Sequence, residues 1–181
     1  MYGKIFVVGL IMFVVLLPVF LEYSFSNYYY NKGLVALENN KYYDAEGYFL
    51  DAMRELGGSN TLAAIKAAEL KLSFNSNFEA LHFIRAGLGF SVKSVNKARL
   101  YYLQGLAYRN LKDPKSADES FKNALKWRYR SDSVYTALAP IYAYELKIYD
   151  QALASYDSLI HYEQNNWVGL YSFLYRALLL L

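Results

Sequence analysis

The sequence predicts an all-α protein: an α-solenoid of about four helical hairpins, preceded by an N-terminal transmembrane helix and followed by one C-terminal helix. Three observations support this fold class. Apolar residues recur every three or four positions, whereas strand-like alternation is scarce. Only three prolines and ten glycines occur among 181 residues. The chain also matches itself when it is shifted by 72 residues, as a repeat protein would.

Residues 1–25 are predicted to form the membrane anchor. The stretch from Ile5 to Leu21 has no charged residue. As a helix it would rise roughly 26 Å, near the lower limit for crossing a bilayer core. Tyr2 and Tyr23 suit the two interfaces, and Lys4 favours a cytoplasmic N-terminus. We therefore expect a single-pass membrane protein with its repeats on the extracytoplasmic (periplasmic or equivalent) side.

Two other interpretations of this segment stay open. The basic start, the apolar run and the small residues Ser24 and Ser26 also suit a cleaved signal peptide. Against cleavage, there is no Ala-x-Ala pattern, and the run exceeds the usual ~7 to 15 residues of a signal core. The segment could instead be a buried helix of a soluble protein. Lys32, beyond the far end of the span, weakens the orientation argument.

The repeat covers residues 26–165. Residues 29–53 align without a gap on residues 101–125, and a smaller shift of 35 relates the remaining units, so 72 corresponds to two units. A period in the middle thirties with two helices per unit is typical of solenoids, in which each unit buries its apolar face against its neighbours. The predicted units are 26–60, 61–96, 97–131 and 132–165. The matched sets are Tyr29 and Tyr101, Tyr30 and Tyr102, Gly33 and Gly105, Leu34 and Leu106, Ala45, Ala80, Ala117 and Ala152, and Phe49, Ile84, Phe121 and Tyr156.

Two glycines in helix interiors require a steric explanation, because glycine there costs roughly 1 kcal/mol relative to alanine. We predict that Gly33 and Gly105 lie where the two helices of a hairpin cross most closely. Asp113 and Pro114 fit a turn that leads into a second helix. Pro140 stands at the glycine position of the fourth unit, where it should kink or restart the helix.

The third unit resembles the tetratricopeptide repeat family, with an aromatic, a small and an aromatic residue in its first helix and Ala-x-x-x-Phe-x-x-Ala in its second. The first unit repeats most of this pattern, with Ala36 at the second aromatic position, whereas Ala68 and Pro140 depart from the glycine. The resemblance implies that first helices line a concave surface that binds peptides or partner helices. The residues of the pattern are Tyr101, Gly105, Tyr108, Ala117, Phe121 and Ala124.

Projecting the family geometry onto this chain selects a candidate groove that is apolar and aromatic, with two arginines at one edge. The lysines and asparagines that family members use to clamp a carboxylate are missing. An amphipathic helix or an extended apolar peptide is therefore the expected ligand, although curvature of the array could bury many of these residues as ordinary core. The groove residues are Tyr30, Leu34, Leu37, Ile65, Leu72, Arg99, Tyr102, Leu106, Arg109, Ile141 and Tyr144.

Residues 166–181 read as one more first helix, apolar almost all round, with Arg176 as its only charge. A terminal solenoid helix normally has a polar outer face. The helix is therefore expected to dock onto another protein or a membrane; alternatively, the natural chain continues past Leu181, or the helix folds back on the fourth unit. The predicted docking residues are Trp167, Leu170, Tyr171, Leu174 and Leu178.

Composition and motifs argue against catalysis. Without cysteine there are no disulfides, thiolate metal sites or cysteine nucleophiles. The two histidines, His82 and His161, lie far apart in the repeat order and have no triad or metal set beside them. GLGF at 87–90 follows a helix instead of opening one, unlike a phosphate loop. We expect no catalytic residue, no metal and no cofactor.

The charge gives little indication of a nucleic-acid partner. The 19 basic and 16 acidic residues leave a formal charge of +3, which is too small and too evenly spread. One basic cluster, Lys122, Lys126, Arg128 and Arg130, ends the third unit. We interpret it as cations that favour a helix C-terminus, with anionic lipid or an acidic partner as the alternative.

The expected function is a non-enzymatic, membrane-anchored scaffold for protein–protein interactions in an envelope assembly, secretion or surface complex. The alternative is an accessory subunit built permanently into a larger membrane protein complex through the C-terminal helix. A hydrolase using His82 or His161 is the third and weakest hypothesis.

Overall fold

A computed structural model describes residues 25–55, 60–90, 93–162 and 167–180. All regular structure in these ranges is helical and none is strand, which confirms the all-α prediction. The predicted anchor lies outside the described residues up to position 24, and Phe25 is already part of the first described helix. Within the described ranges, no helix combines the length and the apolarity that crossing a bilayer requires.

Nine α-helices and one π-helical turn make up the described part of the chain. Helices that follow one another in sequence pack side by side, and α3 also packs against α5. The elements are α1 (25–38), α2 (Tyr42–Arg54), α3 (Asn60–Ser73), α4 (Asn77–Gly89), α5 (Ser94–Asn110), α6 (Pro114–Lys126), α7 (Ser131–Pro140), the π turn (Ile141–Glu145), α8 (Tyr149–Tyr162) and α9 (Trp167–Leu179).

The turns inside the four hairpins share one backbone conformation. Each contains a residue with φ between 58 and 61°, in the left-handed region, and these residues recur at the repeat spacing. In the third hairpin the residue after it, Asp113, donates its backbone N–H to the Tyr108 carbonyl at 3.0 Å. Such a bond satisfies a carbonyl that the helix end leaves free and stops the helix there. The left-handed residues are Asn40, Asn75, Lys112 and Lys147.

The start of α6 is the one that the sequence predicts. Pro114 opens the helix, and the Asp113 side chain accepts a hydrogen bond from the Ser116 N–H at 3.1 Å. Together they satisfy one backbone donor and remove another at the helix start.

The two helix-interior glycines lie at helix crossings, as predicted. A Cβ atom added to Gly105 would lie 2.5 to 2.8 Å from three ring carbons of Phe121, and one added to Gly33 would meet the Phe49 ring in the same way. Both rings are fully buried. The Phe49 ring of α2 therefore fills the space that a side chain at Gly33 of α1 would occupy. The Phe121 ring of α6 does the same at Gly105 of α5.

We predict that Gly105→Ala destabilises the protein by about 1 to 3 kcal/mol, because overpacking against Phe121 outweighs the better helix propensity of alanine. Gly47→Ala in α2 is the matched control, since a Cβ there meets nothing within 4 Å. It should raise stability by up to about 1 kcal/mol. Chemical denaturation followed by circular dichroism measures both changes.

A second substitution tests the cause. Phe121→Leu shortens the side chain that meets position 105, so Gly105→Ala should cost less in that background than in the wild type. Equal costs in the two backgrounds would show that the crossing is not what makes glycine necessary.

The fourth hairpin departs from the others at Pro140, as the sequence predicts. Helix α7 ends at this residue and the π turn follows directly. Proline has no N–H to continue the helical ladder, and π turns accommodate such interruptions. Three consecutive residues of the wider turn, Ile141, Tyr142 and Ala143, are buried.

The buried residues form two hydrophobic clusters. The first joins α1 to α4 and the start of α5, and the second joins α6, α7, the π turn and α8. Leu106 in α5 packs against both clusters, so α5 is the element that connects them.

A buried polar contact fixes where α1 begins. The Ser26 hydroxyl, fully buried, lies 3.1 Å from the Ala52 carbonyl oxygen and 3.1 Å from Asn60 Oδ1, to one of which it donates its proton. The Asn60 amide in turn donates to the Met53 and Glu55 carbonyls. The first residues of α1 are thereby held against the end of α2 and the start of α3.

Candidate binding surfaces

Most of the predicted groove residues lie on α1, α3, α5 and the π turn and keep part of their side chains exposed, and we call this set the first-helix surface. They are half-buried, except for Tyr144, which is exposed. Its members are Tyr30, Leu34, Leu37, Leu72, Arg99, Tyr102, Leu106, Arg109 and Tyr144.

Two predicted groove residues, Ile65 and Ile141, belong to the core instead. Ile65 is 1% exposed and Ile141 is fully buried, so neither offers a side chain to a ligand in this conformation. Ile65 lies on α3, which packs against α2, α4 and α5 and has little open surface. Ile141 begins the π turn, and the wider turn directs it into the second cluster.

Tyr102 is held between two other aromatic rings. Its ring stacks on Tyr129 with the centroids 4.6 Å apart and an interplanar angle of 20°, and it tilts against Phe121 at 5.8 Å. Burial raises the pKa of Tyr102, and the nearby charge of Arg109 opposes that rise. Tyr102 is thus a rigid aromatic element whose ring face is covered by Tyr129.

The two arginines of this surface differ. Arg99 forms an ion pair with Glu69, which also accepts a hydrogen bond from Lys66 at 3.2 Å, so its charge is compensated within the chain. Arg109 has no ion pair among the described residues and lies close enough to Tyr102 to affect its pKa. Arg109 is therefore the cation on this surface that an acidic group of a ligand would meet.

The C-terminal helix α9 has one covered and one exposed face. Ser172 is buried, Tyr175 stacks on Tyr156 at 5.9 Å, and Arg176 pairs with Asp157 of α8 at 2.5 Å. Of the predicted docking residues, Tyr171, Leu174 and Leu178 are 57%, 50% and 63% exposed. Those at positions 167 and 170 have side chains outside the described part of the structure.

Between α9 and the fourth hairpin lies an open cleft of about 300 Å³. That volume is at the lower end of the range for small-molecule sites. Burial, followed by the neighbouring tyrosines, raises the pKa of Tyr156 to about 12. The cleft is lined by Thr136, Pro140, Tyr144, Tyr156, Leu159, Tyr171, Ser172 and Tyr175.

The predicted basic cluster at the end of α6 is partly neutralised. Lys122 pairs with Asp118 at 2.8 Å, and Arg130 pairs with Asp132 at 2.9 Å. Lys126 and Arg128 are exposed.

One hydrogen bond ties this region to the fourth hairpin. The Tyr142 hydroxyl donates to Asp118 Oδ1 at 2.5 Å. Burial, then the hydrogen bond and the charge of Asp118, raise the pKa of Tyr142 well above its ordinary value of about 10. Each of these causes favours the neutral phenol over the phenolate.

Above about pH 10 the unfolded chain releases tyrosine protons, whereas the folded chain retains those of Tyr142 and Tyr156 because their pKa values are raised. The free energy of unfolding therefore falls above about pH 10. Below that pH the contribution is fully present. Tyr142→Phe should cost about 1.5 to 3 kcal/mol at neutral pH and make the alkaline fall shallower. Urea denaturation at a series of pH values measures both effects. Tyr43→Phe, at an 87% exposed ring, is the control and should reproduce the wild-type slope.

The sequence did not predict the contacts of several residues on these surfaces. Tyr129 follows α6 in a connection whose sequence shows no repeat pattern, and Glu69 could be recognised as the partner of Arg99 only from three dimensions. Both histidines are exposed, and the described residues bring together no set of three metal-ligating groups.

No protein-family model and no curated protein matches this chain. The described residues form helices in repeated hairpins, with half-exposed apolar side chains on the first helices and exposed apolar side chains on α9.

Proposed function

We propose that the protein is a tetratricopeptide-type solenoid, anchored in a membrane by residues 5–21, that acts as a non-enzymatic scaffold on the extracytoplasmic side. Its first-helix surface binds partner proteins in an envelope assembly, secretion or surface complex. The observation that most favours this function is the row of half-exposed apolar side chains Leu34, Leu37, Leu72 and Leu106 along successive first helices.

The repeated packing supports the solenoid part of the proposal. Equivalent crossings at Gly33 and Gly105 and equivalent turns in all four hairpins mean that like units stack in like ways. Stacking of like units places their first helices side by side and makes an extended surface.

The chemistry of the surface defines the ligand. Its apolar floor suits the apolar face of an amphipathic helix, which would present anchors at helical spacing. Arg109, beside the fixed ring of Tyr102, favours a ligand with an acidic residue at one end. The proposed ligand is therefore an amphipathic helix with apolar anchors and a flanking carboxylate.

Photocrosslinking in cells tests this function. A photoreactive residue at Leu37 and, separately, at Tyr102 should capture one and the same partner, whereas the residue at Tyr43, on α2, should not. Arg109→Glu should reduce capture at both sites, because it places a negative charge where the carboxylate of the proposed ligand would lie. Different partners at the two sites, or equal capture at position 43, would remove the first-helix surface as the binding site.

A second candidate function, the accessory subunit, is favoured by the exposed face of α9. Its apolar side chains remain uncovered although the opposite face packs on α8. The double variant Leu174→Glu and Leu178→Glu should release the protein from a native membrane complex, as measured by its migration in mild detergent. The control variant Tyr43→Glu and Phe78→Glu changes similarly exposed residues on α2 and α4. Unchanged migration of the α9 variant would exclude docking through this face.

A further inference from the structure

The two ends of the helices define two edges of the protein, and residue 25 lies at one of them. Since the helices alternate in direction, the starts of α1, α3, α5, α7 and α9 share an edge with the ends of α2, α4, α6 and α8. The buried contact of Ser26 with Ala52 and Asn60 fixes the start of α1 at this edge. The uncharged segment 5–21 precedes it by only a few residues.

The same edge is basic. Six cations lie at the α2–α3, α4–α5 and α6–α7 connections, which we call the basic edge: Arg54, Lys93, Lys97, Lys126, Arg128 and Arg130. Among the described residues near them, Asp51 and Asp132 pair with Arg54 and Arg130, and Glu55 is the other carboxylate. Lys93, Lys126 and Arg128 are exposed and form no ion pair within the described ranges.

The opposite edge has no comparable excess of positive charge. This edge also has cations, but carboxylates in the same connections and helix ends offset them. The cations are Lys41, Lys71, Arg109, Lys112, Lys115 and Lys147, and the carboxylates are Glu38, Asp44, Glu79, Asp113, Glu119, Glu145 and Asp150. The excess of positive charge therefore lies at the edge where α1 begins.

Aromatic and apolar side chains accompany the cations. Trp127 lies in the α6–α7 connection with the Lys97 ammonium 4.8 Å from its ring centroid, which joins two connections of the edge. Val95 and Phe25 are 74% and 49% exposed. Tryptophan, phenylalanine and basic residues together are the side chains that the interface of a bilayer favours.

We infer that the basic edge lies on the surface of the membrane and binds the headgroups of anionic lipids. This orientation rests on the anchor of the proposed function. Attraction to an anionic surface acts within about one Debye length, roughly 10 Å at moderate salt, so only the edge next to the anchor can use it. The first helices then stand away from the bilayer, which leaves the first-helix surface accessible from the side.

Fluorescence quenching in proteoliposomes tests the orientation with the full chain. Because the protein has no cysteine, Val95→Cys and Phe78→Cys each provide one labelling site, at residues that are 74% and 77% exposed and at opposite edges. The vesicles contain phosphatidylcholine with or without phosphatidylglycerol, and a trace of lipid with a nitroxide on its headgroup quenches a nearby fluorophore. The label at 95 should be quenched more in the anionic vesicles, and the label at 78 should not be quenched.

Charge reversal identifies the cause. Lys126→Glu with Arg128→Glu should reduce quenching at 95 to its level in neutral vesicles, and high salt should do the same. Lys112→Glu with Lys115→Glu, at the opposite edge, should leave it unchanged. Equal quenching at 95 and 78, or quenching at 95 that ignores both the lipid charge and the reversal, would overturn the inference.

Alkaline carbonate extraction separates this inference from the proposed anchor. If carbonate leaves the protein in the vesicles and position 95 is not quenched, the anchor stands and the basic edge does not bind lipid. If carbonate removes the protein, the anchor is wrong. Quenching at 95 in the anionic vesicles before extraction would then still support lipid binding by the edge, and its absence would overturn it.

Discussion

The close contact between a glycine in a first helix and a phenylalanine ring in the second is the constraint on which the first and third hairpins depend. At Gly33 and Gly105 the ring occupies the volume that a Cβ atom would need, so the two helices approach to a distance that no other residue permits. Alanines at positions 45 and 117, both fully buried, allow the same approach from the other helix. A fixed approach inside the hairpin fixes in turn which side chains point outward along the first helix. The half-exposed apolar row along the first helices is a consequence of this packing.

The fourth hairpin shows what happens when the constraint is relaxed. Proline replaces glycine at 140, tyrosine replaces phenylalanine at 156, and the helix widens into a π turn. The wider turn buries Ile141, Tyr142 and Ala143, and an open cleft lined by tyrosines lies beside Pro140. The Tyr142 hydroxyl donates a hydrogen bond to Asp118 of the preceding hairpin. The glycine–phenylalanine contact of the first and third hairpins is thus absent from the fourth.

The proposed activities place different demands on the two edges and the lateral surface. The Ser26 and Asn60 contact fixes the start of α1, and with it the edge at which an anchor would enter. Positive charge gathers at that edge, whereas the first-helix surface has Arg109 as its cation without an ion pair among the described residues. A membrane and a protein ligand would therefore be recognised by separate parts of the molecule, with electrostatics dominant in one and apolar burial in the other.

The sequence by itself determined the helical class, the hairpin repeat, the role of the glycines, the start of α6 and the interruption at Pro140. Each of these follows from sterics or backbone chemistry that acts within one helix or between positions at a fixed repeat spacing. Only the tertiary structure decided that Ile65 and Ile141 are core, that Glu69 neutralises Arg99 and that Tyr129 covers Tyr102. Those outcomes depend on how α3 is enclosed by its neighbours, on the extra width of one turn and on a connection without a repeat pattern. These contacts join residues that are far apart in the sequence, and the repeat period alone does not predict which of them come together.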